Sequence, residues 1–316
     1  MSNKYHLDLR SSMTPAPLKF VRDDADQSRR LRPLGVTTLV TADDAGLLDA
    51  VCAAFDGEGE DAPTLRLRMS LSEAAMNDEP LDITVDGARL TLTGRGAVGE
   101  ADALTGEAAC HIPRRLLGDP SLAEITDTLL LFLLARSGRT PVHAAGVMLG
   151  GTALVLAGPS GSGKSTLALA AASRGLQILS DDTLYIQLRP RTRVWGLRRP
   201  VHVFPQDGPR FTAATRLRGG KLKSAVTLPP TAHGPPFADK TELILLERGE
   251  RLNLARIDAA EAAAGLAKLE PGFDLLAKES ADAARALAHG GGWRLTLARD
   301  PGAAIDFLCE HFGGTA

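Results

Sequence analysis

Eight consecutive residues near the middle of the chain have the types and order that bind phosphate: Gly158-Pro159-Ser160-Gly161-Ser162-Gly163-Lys164-Ser165. They fit the pattern G-x-x-x-x-G-K-[ST] without a mismatch. Glycines let the backbone curl so that successive N–H groups converge on one anion. A helix beginning there adds unpaired N–H groups and the positive end of its dipole. In such a loop Lys164 would reach the outer phosphates of a nucleotide and the Ser165 hydroxyl would coordinate Mg2+. These eight residues and Thr166, which follows them, are the candidate nucleotide-binding set. A plain Gly/Ser-rich turn ahead of a helix is the alternative.

A second group follows one short helix later: Asp181 and Asp182. Consecutive residues at a strand end point to opposite sides, so two adjacent carboxylates can divide two tasks. One can hold Mg2+ through its hard oxygens while the other takes the proton of an acceptor hydroxyl. The residue types leave open which does which, and a solvated Asp-Asp turn closing a strand is the bland reading. His143 opens the strand expected to pair with the one that enters the glycine loop. It could hydrogen-bond a catalytic carboxylate or a γ-phosphate, or be a histidine satisfied at a strand start.

The elements that must position these groups are legible around them. Residues 153–157 (ALVLA) form an apolar run of strand length, and 166–172 (TLALAAA) are rich in helix formers. Residues 142–149 and 152–157 read as a hairpin about Gly150-Gly151. Arg174-Gly175 close the loop helix, and the strand 176–179 ends on the Asp pair. Further strands are expected at 184–188, 193–197, 201–204, 242–247, 252–257 and 293–298, with an Ala-rich helical region at 258–289. A last helix starts with Asp300 as cap and Pro301 at its first position. Residues 205–240, rich in Pro, Gly and basic side chains (Arg210, Arg216, Arg218, Lys221, Lys223), read as loops.

The first 120 residues differ in texture. Strands are expected at 5–10, 36–40 and 64–69, a helix at 44–55, and a hairpin over 83–92 that turns at Asp86-Gly87. Two stretches rich in Gly, Glu and Asp (56–62 and 95–107) read as loops. No nucleophile–base pair, metal-ligand cluster or internal repeat stands out there; His6 and His111 are isolated and expected to be ordinary surface or capped residues. A helix over 121–137 repeats apolar residues at helical spacing (Leu122, Ile125, Leu129, Leu130, Leu133), stops at Gly138, and leads into the second half. The expected organisation is an α+β domain over 1–120, for recognition or assembly (a homo-oligomer included), and a nucleotide-binding domain over 121–316.

Composition narrows the partners. Of 316 residues, 44% are hydrophobic and 23% charged, as in a soluble globular protein with ample core material. A net charge of −2 and an aromatic share of 4% argue against nucleic acid, which selects basic excess and stacking surfaces. The greasiest run, 128–135, is too short for a bilayer, and the first residues lack the apolar stretch of a signal peptide. Cys52, Cys110 and Cys309 lie far apart and are expected as free thiols. The expectation is a cytoplasmic protein without membrane or nucleic-acid partners.

Taken together, VHAAGVMLGG (142–151), GPSGSGKST (158–166) and LSDD (179–182) resemble the catalytic core of the HPr serine kinase/phosphorylase family. They look most like its HPr kinase-like branch, which includes kinases encoded with lasso peptide biosynthesis. The resemblance covers about residues 121–250. It implies an α/β fold with a P-loop core of the HPr kinase/phosphoenolpyruvate carboxykinase type, beside a separate N-terminal α+β domain. It implies ATP and Mg2+ as cofactors, Asp181 as general base assisted by His143, Lys164 on the phosphates, and Ser165 with Asp182 on the metal. The Gly/Glu-containing segment and the Arg-containing loop of authentic HPr kinases have no match here, which argues against HPr as acceptor and against phosphorolysis. Arg198-Arg199 and Lys221-x-Lys223 could clamp phosphate or an acidic substrate, or be solvated charge.

The expected activity is transfer of the γ-phosphate to a serine hydroxyl of a peptide or small protein, a lasso precursor peptide among the candidates. A small-molecule kinase on the same core is the second reading. The third is a switch that hydrolyses nucleotide without an acceptor; the early position of the Asp pair, with no clear later strand-end Asp, weighs against it.

Overall fold

The computed structural model describes residues 27–53, 55, 57–203, 215–218, 221–228, 236–269 and 276–313. The strand expected at 5–10, with His6, lies outside them, as does Arg210. The chain first forms β1 (Gln27–Leu31), β2 (Thr38–Ala42), α1 (Ala45–Cys52), β3 (Leu65–Ser72) and β4 (Asp82–Asp86). Then come β5 (Arg89–Gly94), β6 (Ala97–Asp102), β7 (Glu107–Pro113) and α2 (Pro120–Arg136). The seven strands make one sheet in the order β1-β2-β3-β7-β6-β5-β4. Pairing is parallel at β2–β3 and β3–β7.

This sheet has one buried face. In β3, Leu65, Leu67 and Met69 are buried while Arg66 between them is exposed, the alternation of a strand with one wet side. α1 and α2 cover the apolar side. Their starts are capped by Asp44, which accepts from Leu47 N at 3.0 Å, and by Asp119, which accepts from Ser121 N at 2.8 Å. All five apolar residues that signalled α2 are buried.

β6 corrects the loop expected over 95–107. Its sequence AVGEAD has loop-like composition, yet Ala97, Gly99 and Ala101 are buried where α2 crosses the strand. Small side chains leave the space that the Leu-rich helix fills, so packing overrides propensity.

The second half runs β8 (Thr140–Val142), β9 (Ala144–Leu149), β10 (Thr152–Ala157), α3 (Lys164–Ser173) and β11 (Gln177–Ser180). It continues through β12 (Leu184–Gln187), β13 (Arg193–Gly196), β14 (Val201–Val203), β15 (Thr215–Arg218), β16 (Lys221–Val226) and β17 (Phe237–Ala238). It ends with β18 (Lys240–Arg248), β19 (Asn253–Ile257), α4 (Ala259–Ala267), α5 (Ala277–Ala288), β20 (Gly292–Leu297) and α6 (Pro301–Gly313). Three sheets result: six strands in the order β11-β9-β10-β18-β20-β19, four as β17-β13-β12-β8, and three as β14-β16-β15.

The six-stranded sheet is covered on both faces. Leu154 and Leu156 of β10 pack in one core with Leu167 of α3 and Ile305 and Leu308 of α6. Ala153, Val155 and Ala157 face the other way, into a core with Leu266 of α4 and Leu287 of α5. A central strand buried twice must be apolar throughout, which explains the unbroken run ALVLA. The chain is thus a mixed α/β protein, and no described helix is long and apolar enough to cross a membrane.

Two further expectations are corrected. The single strand over 142–149 is two: β8 bonds to β12 in the four-stranded sheet, and β9 bonds to β10 and β11 in the six-stranded one. The chain changes sheet at His143, because one straight strand cannot serve both sets of partners. The loops expected over 205–240 contain β15 and β16, an antiparallel pair that β14 extends. β15 and β16 are separated by only two residues, so the pairing is local, and the basic, Pro- and Gly-rich composition of the stretch hides it.

Candidate functional site

β10 leads through residues 158–163 directly into α3, so the glycine loop sits between a strand and a helix N-terminus. Gly158 has no room for a side chain: a Cβ there would lie 2.7 Å from Ser162 Oγ and 3.1 Å from the carbonyl oxygen of Leu246. Gly163 precedes the helix at φ +113°, a conformation other residues resist. Lys164 is 6% exposed; its Nζ donates to Gly158 O (2.6 Å) and Pro159 O (3.3 Å), folding the ammonium back across the loop. Pro159, Ser160 and Gly161 are exposed, Ser165 and Thr166 half-buried. Ser162 is buried, and its hydroxyl has no hydrogen-bond partner among the described residues. A buried cation, helix-terminal N–H groups and glycine where a side chain would intrude make a donor set that fits a phosphate group.

Register places the other candidates at the same edge of the sheet. Ala157, the last residue of β10, lies opposite Ala144, the first of β9, so His143 stands beside the start of the loop. β9 is antiparallel to both β10 and β11, so these two run the same way, and Ser180 pairs with Gly146. The loop after β10 and the Asp pair after β11 therefore leave the sheet together, separated by one strand, about 10 Å at the usual spacing.

The two carboxylates, in the bend that follows β11, have opposite surroundings. Asp181 is 3% exposed, and its Oδ2 accepts from the backbone N–H of His202 on β14 at 2.8 Å. The Asp182 side chain is 42% exposed, and its Oδ1 lies 3.5 Å from His143 Nδ1. The histidine thus meets the second acid of the pair. Tyr185 on β12 lies in the same electrostatic neighbourhood: burial, then the charge of Asp127, pushes its phenol up, with Asp182 adding to the effect.

The basic candidates divide. Arg199 bonds Asp127 of α2 at 2.6 Å and stacks over Phe55 at 5.0 Å, a tie to the first core. Arg198 is exposed, and Lys221 and Lys223 belong to β16. Two contributors escape a reading of the sequence. His202 acts through its backbone amide, which leaves no mark in residue type. Arg248, at the end of β18, reaches the loop: a Cβ on Gly163 would lie 3.1 Å from its Nη2. Its position at the end of a strand parallel to β10 is the signal that could have found it.

Among the described residues no group of three or more His, Cys, Asp or Glu forms a metal cluster. Mg2+ bound with a nucleotide needs only one or two carboxylates, because phosphates and water supply the rest. No protein-family model matches the chain, and no curated protein does. Among solved structures, the HPr(Ser) kinase/phosphatase from Coxiella burnetii is similar at 13% identity and a TM-score of 0.30, covering 55% of this chain and 95% of that one. That superposition is too loose to assign a fold family or a role to any residue.

Proposed function

We propose that this chain is an ATP- and Mg2+-dependent phosphotransferase with a P-loop core of the HPr kinase-like type, acting on a serine hydroxyl of a peptide or small protein. The observation that carries the reading is one sheet edge presenting a glycine loop with a buried lysine and, one strand away, an exposed carboxylate beside an imidazole. Residues Gly158 to Thr166 would hold the triphosphate, and Ser165 with one Asp the metal. Bound there, nucleotide and metal supply the transferable phosphoryl group and neutralise its charge. Lys164 would exchange its two carbonyl partners for phosphate oxygens.

The resemblance puts the base at Asp181 and the metal at Asp182. The geometry favours the reverse division: Asp182 is open and meets His143, while Asp181 is buried on a backbone amide. A base must reach the proton it takes, and His143 would support the charge that Asp182 must keep. The same proposal places the protein in a reducing cytosol, consistent with free Cys52, Cys110 and Cys309, and divides the chain into domains 1–120 and 121–316, the first docking the acceptor.

The test measures nucleotide affinity and phosphate transfer separately, using ATP, Mg2+ and candidate peptides read by mass spectrometry. Asp182→Asn should lower transfer by roughly 10²–10⁴-fold while ATP affinity changes little. If Asp181→Asn does this and Asp182→Asn does not, the base is Asp181. Phosphate found only in a metabolite fraction selects the small-molecule kinase. Steady ATP hydrolysis with no phosphorylated product selects the switch, and wild-type protein that binds no nucleotide ends the proposal.

A further inference from the structure

We infer that the nucleotide lies across the sheet edge in one direction, its transferable phosphate towards β11 and its nucleoside towards β18, and that Arg248 binds the nucleoside-proximal phosphates. This rests on the phosphate-loop reading above. β10 has β9 and β11 on one side and β18 and β20 on the other. The acids and His143 stand on the first side; Arg248 stands on the second.

Ala157 pairs with Leu245, so Glu247 and Arg248 emerge just beyond the point where the chain enters the loop. The next residue anchors them: Gly249 N donates to Leu297 O at 3.0 Å. Glu247 is turned to β20, accepting from Thr296 Oγ1 at 2.7 Å and lying 3.6 Å from Arg294 Nε. Glu247 is thus turned away from Arg248. Arg248 makes no hydrogen bond or ion pair among the described residues, and its guanidinium stands against Gly163, next to Lys164. The buried hydroxyl of Ser162, in the loop itself, likewise has no hydrogen-bond partner among the described residues.

A loop with a cation on one flank and the proton-accepting acids on the other is polar along its length. Transfer needs the terminal phosphate at the acids. The opposite flank then meets the phosphates that ATP and ADP have in common. A planar guanidinium can bond two phosphate oxygens at once, which an ammonium cannot.

Binding of ATP and of ADP to the full chain is compared for wild type, Arg248→Ala, Arg248→Lys and Lys164→Ala. Arg248→Ala should weaken ATP and ADP alike, by about ten-fold, with Arg248→Lys recovering part of the loss. The melting temperature should stay near that of wild type, since Arg248 is exposed. Unchanged affinity for both nucleotides overturns the inference alone, provided Lys164→Ala still abolishes binding. Loss for ATP only puts Arg248 at the terminal phosphate and overturns the polarity. Wild-type protein that binds neither nucleotide overturns the loop reading and this inference with it.

Discussion

The seven-stranded and six-stranded sheets solve the same packing problem differently. The first buries one face under α1 and α2 and leaves the other to polar side chains such as Arg66, Ser70 and His111, which alternate with its core. There Ser70 Oγ and His111 Nδ1 meet at 2.5 Å across paired strands, so the histidine is satisfied within the sheet. The second sheet is covered twice, by α3 and α6 on one side and α4 and α5 on the other. A sheet buried on both faces can present functional groups only where its strands end. That is where the glycine loop, His143, the Asp pair and Arg248 are found, and where ligands bind in open α/β sheets.

The two regions are not independent bodies of apolar material. Tyr185, Trp195 and Leu197, from the second half, belong to the core under the seven-stranded sheet. Arg139 Nε also donates to Leu34 O at 2.8 Å. The largest effect expected on the comparison follows from this. Leu67→Ala, in the first core, and Leu156→Ala, in the second, should each cost about 2–5 kcal/mol in denaturant unfolding. Both should move one common transition. Two separated transitions, with each variant moving only its own, would show that the regions unfold as autonomous units.

A smaller effect distinguishes the edge that carries the glycine loop from the rest. Gly158→Ala forces a Cβ against Ser162 and the Leu246 carbonyl, and should cost roughly 1–3 kcal/mol together with nucleotide affinity. Gly87→Ala, at the hairpin turn of the other sheet (φ +57°), meets nothing within 4 Å. Its cost should stay near 1 kcal/mol of backbone strain, with affinity unchanged. Equal affinities in the two variants would separate the loop from binding.

The smallest expected effect is alkaline. Burial pushes the Cys110 thiol, in the first core, up to about 12. In the unfolded chain a thiol ionises near 8.5. The folded state therefore holds its proton longer, and this contribution is complete below about 8.5 and lost as pH rises towards 12. Cys110→Ala should flatten the fall of stability between about pH 8.5 and 10.5. An unchanged slope would assign it to other groups, Cys52 among them, whose thiol burial also raises.

Much of the path of the chain could be read in advance. The cap Asp300 acts on amides two and three residues on, and the strand, loop and helix around Lys164 occupy one continuous stretch. Two of the misreadings depended on distant partners. β6 looks like a loop until α2 lies over it, and His143 looks like the start of a strand until β12 and β10 claim the residues on its two sides.

Residue order alone determined that a glycine loop runs from a strand into a helix and that two acids follow it, because glycine conformation, helix starts and strand period act over a few residues. Only the folded chain decided how those groups face. Asp181 is buried because β14 brings it an amide, and Asp182 is open beside His143 because the chain changes sheet there. Arg248 reaches Gly163 because β18, far away in sequence, lies beside β10. Orientation and burial are set by neighbours across the sheet, and those neighbours are assigned by packing.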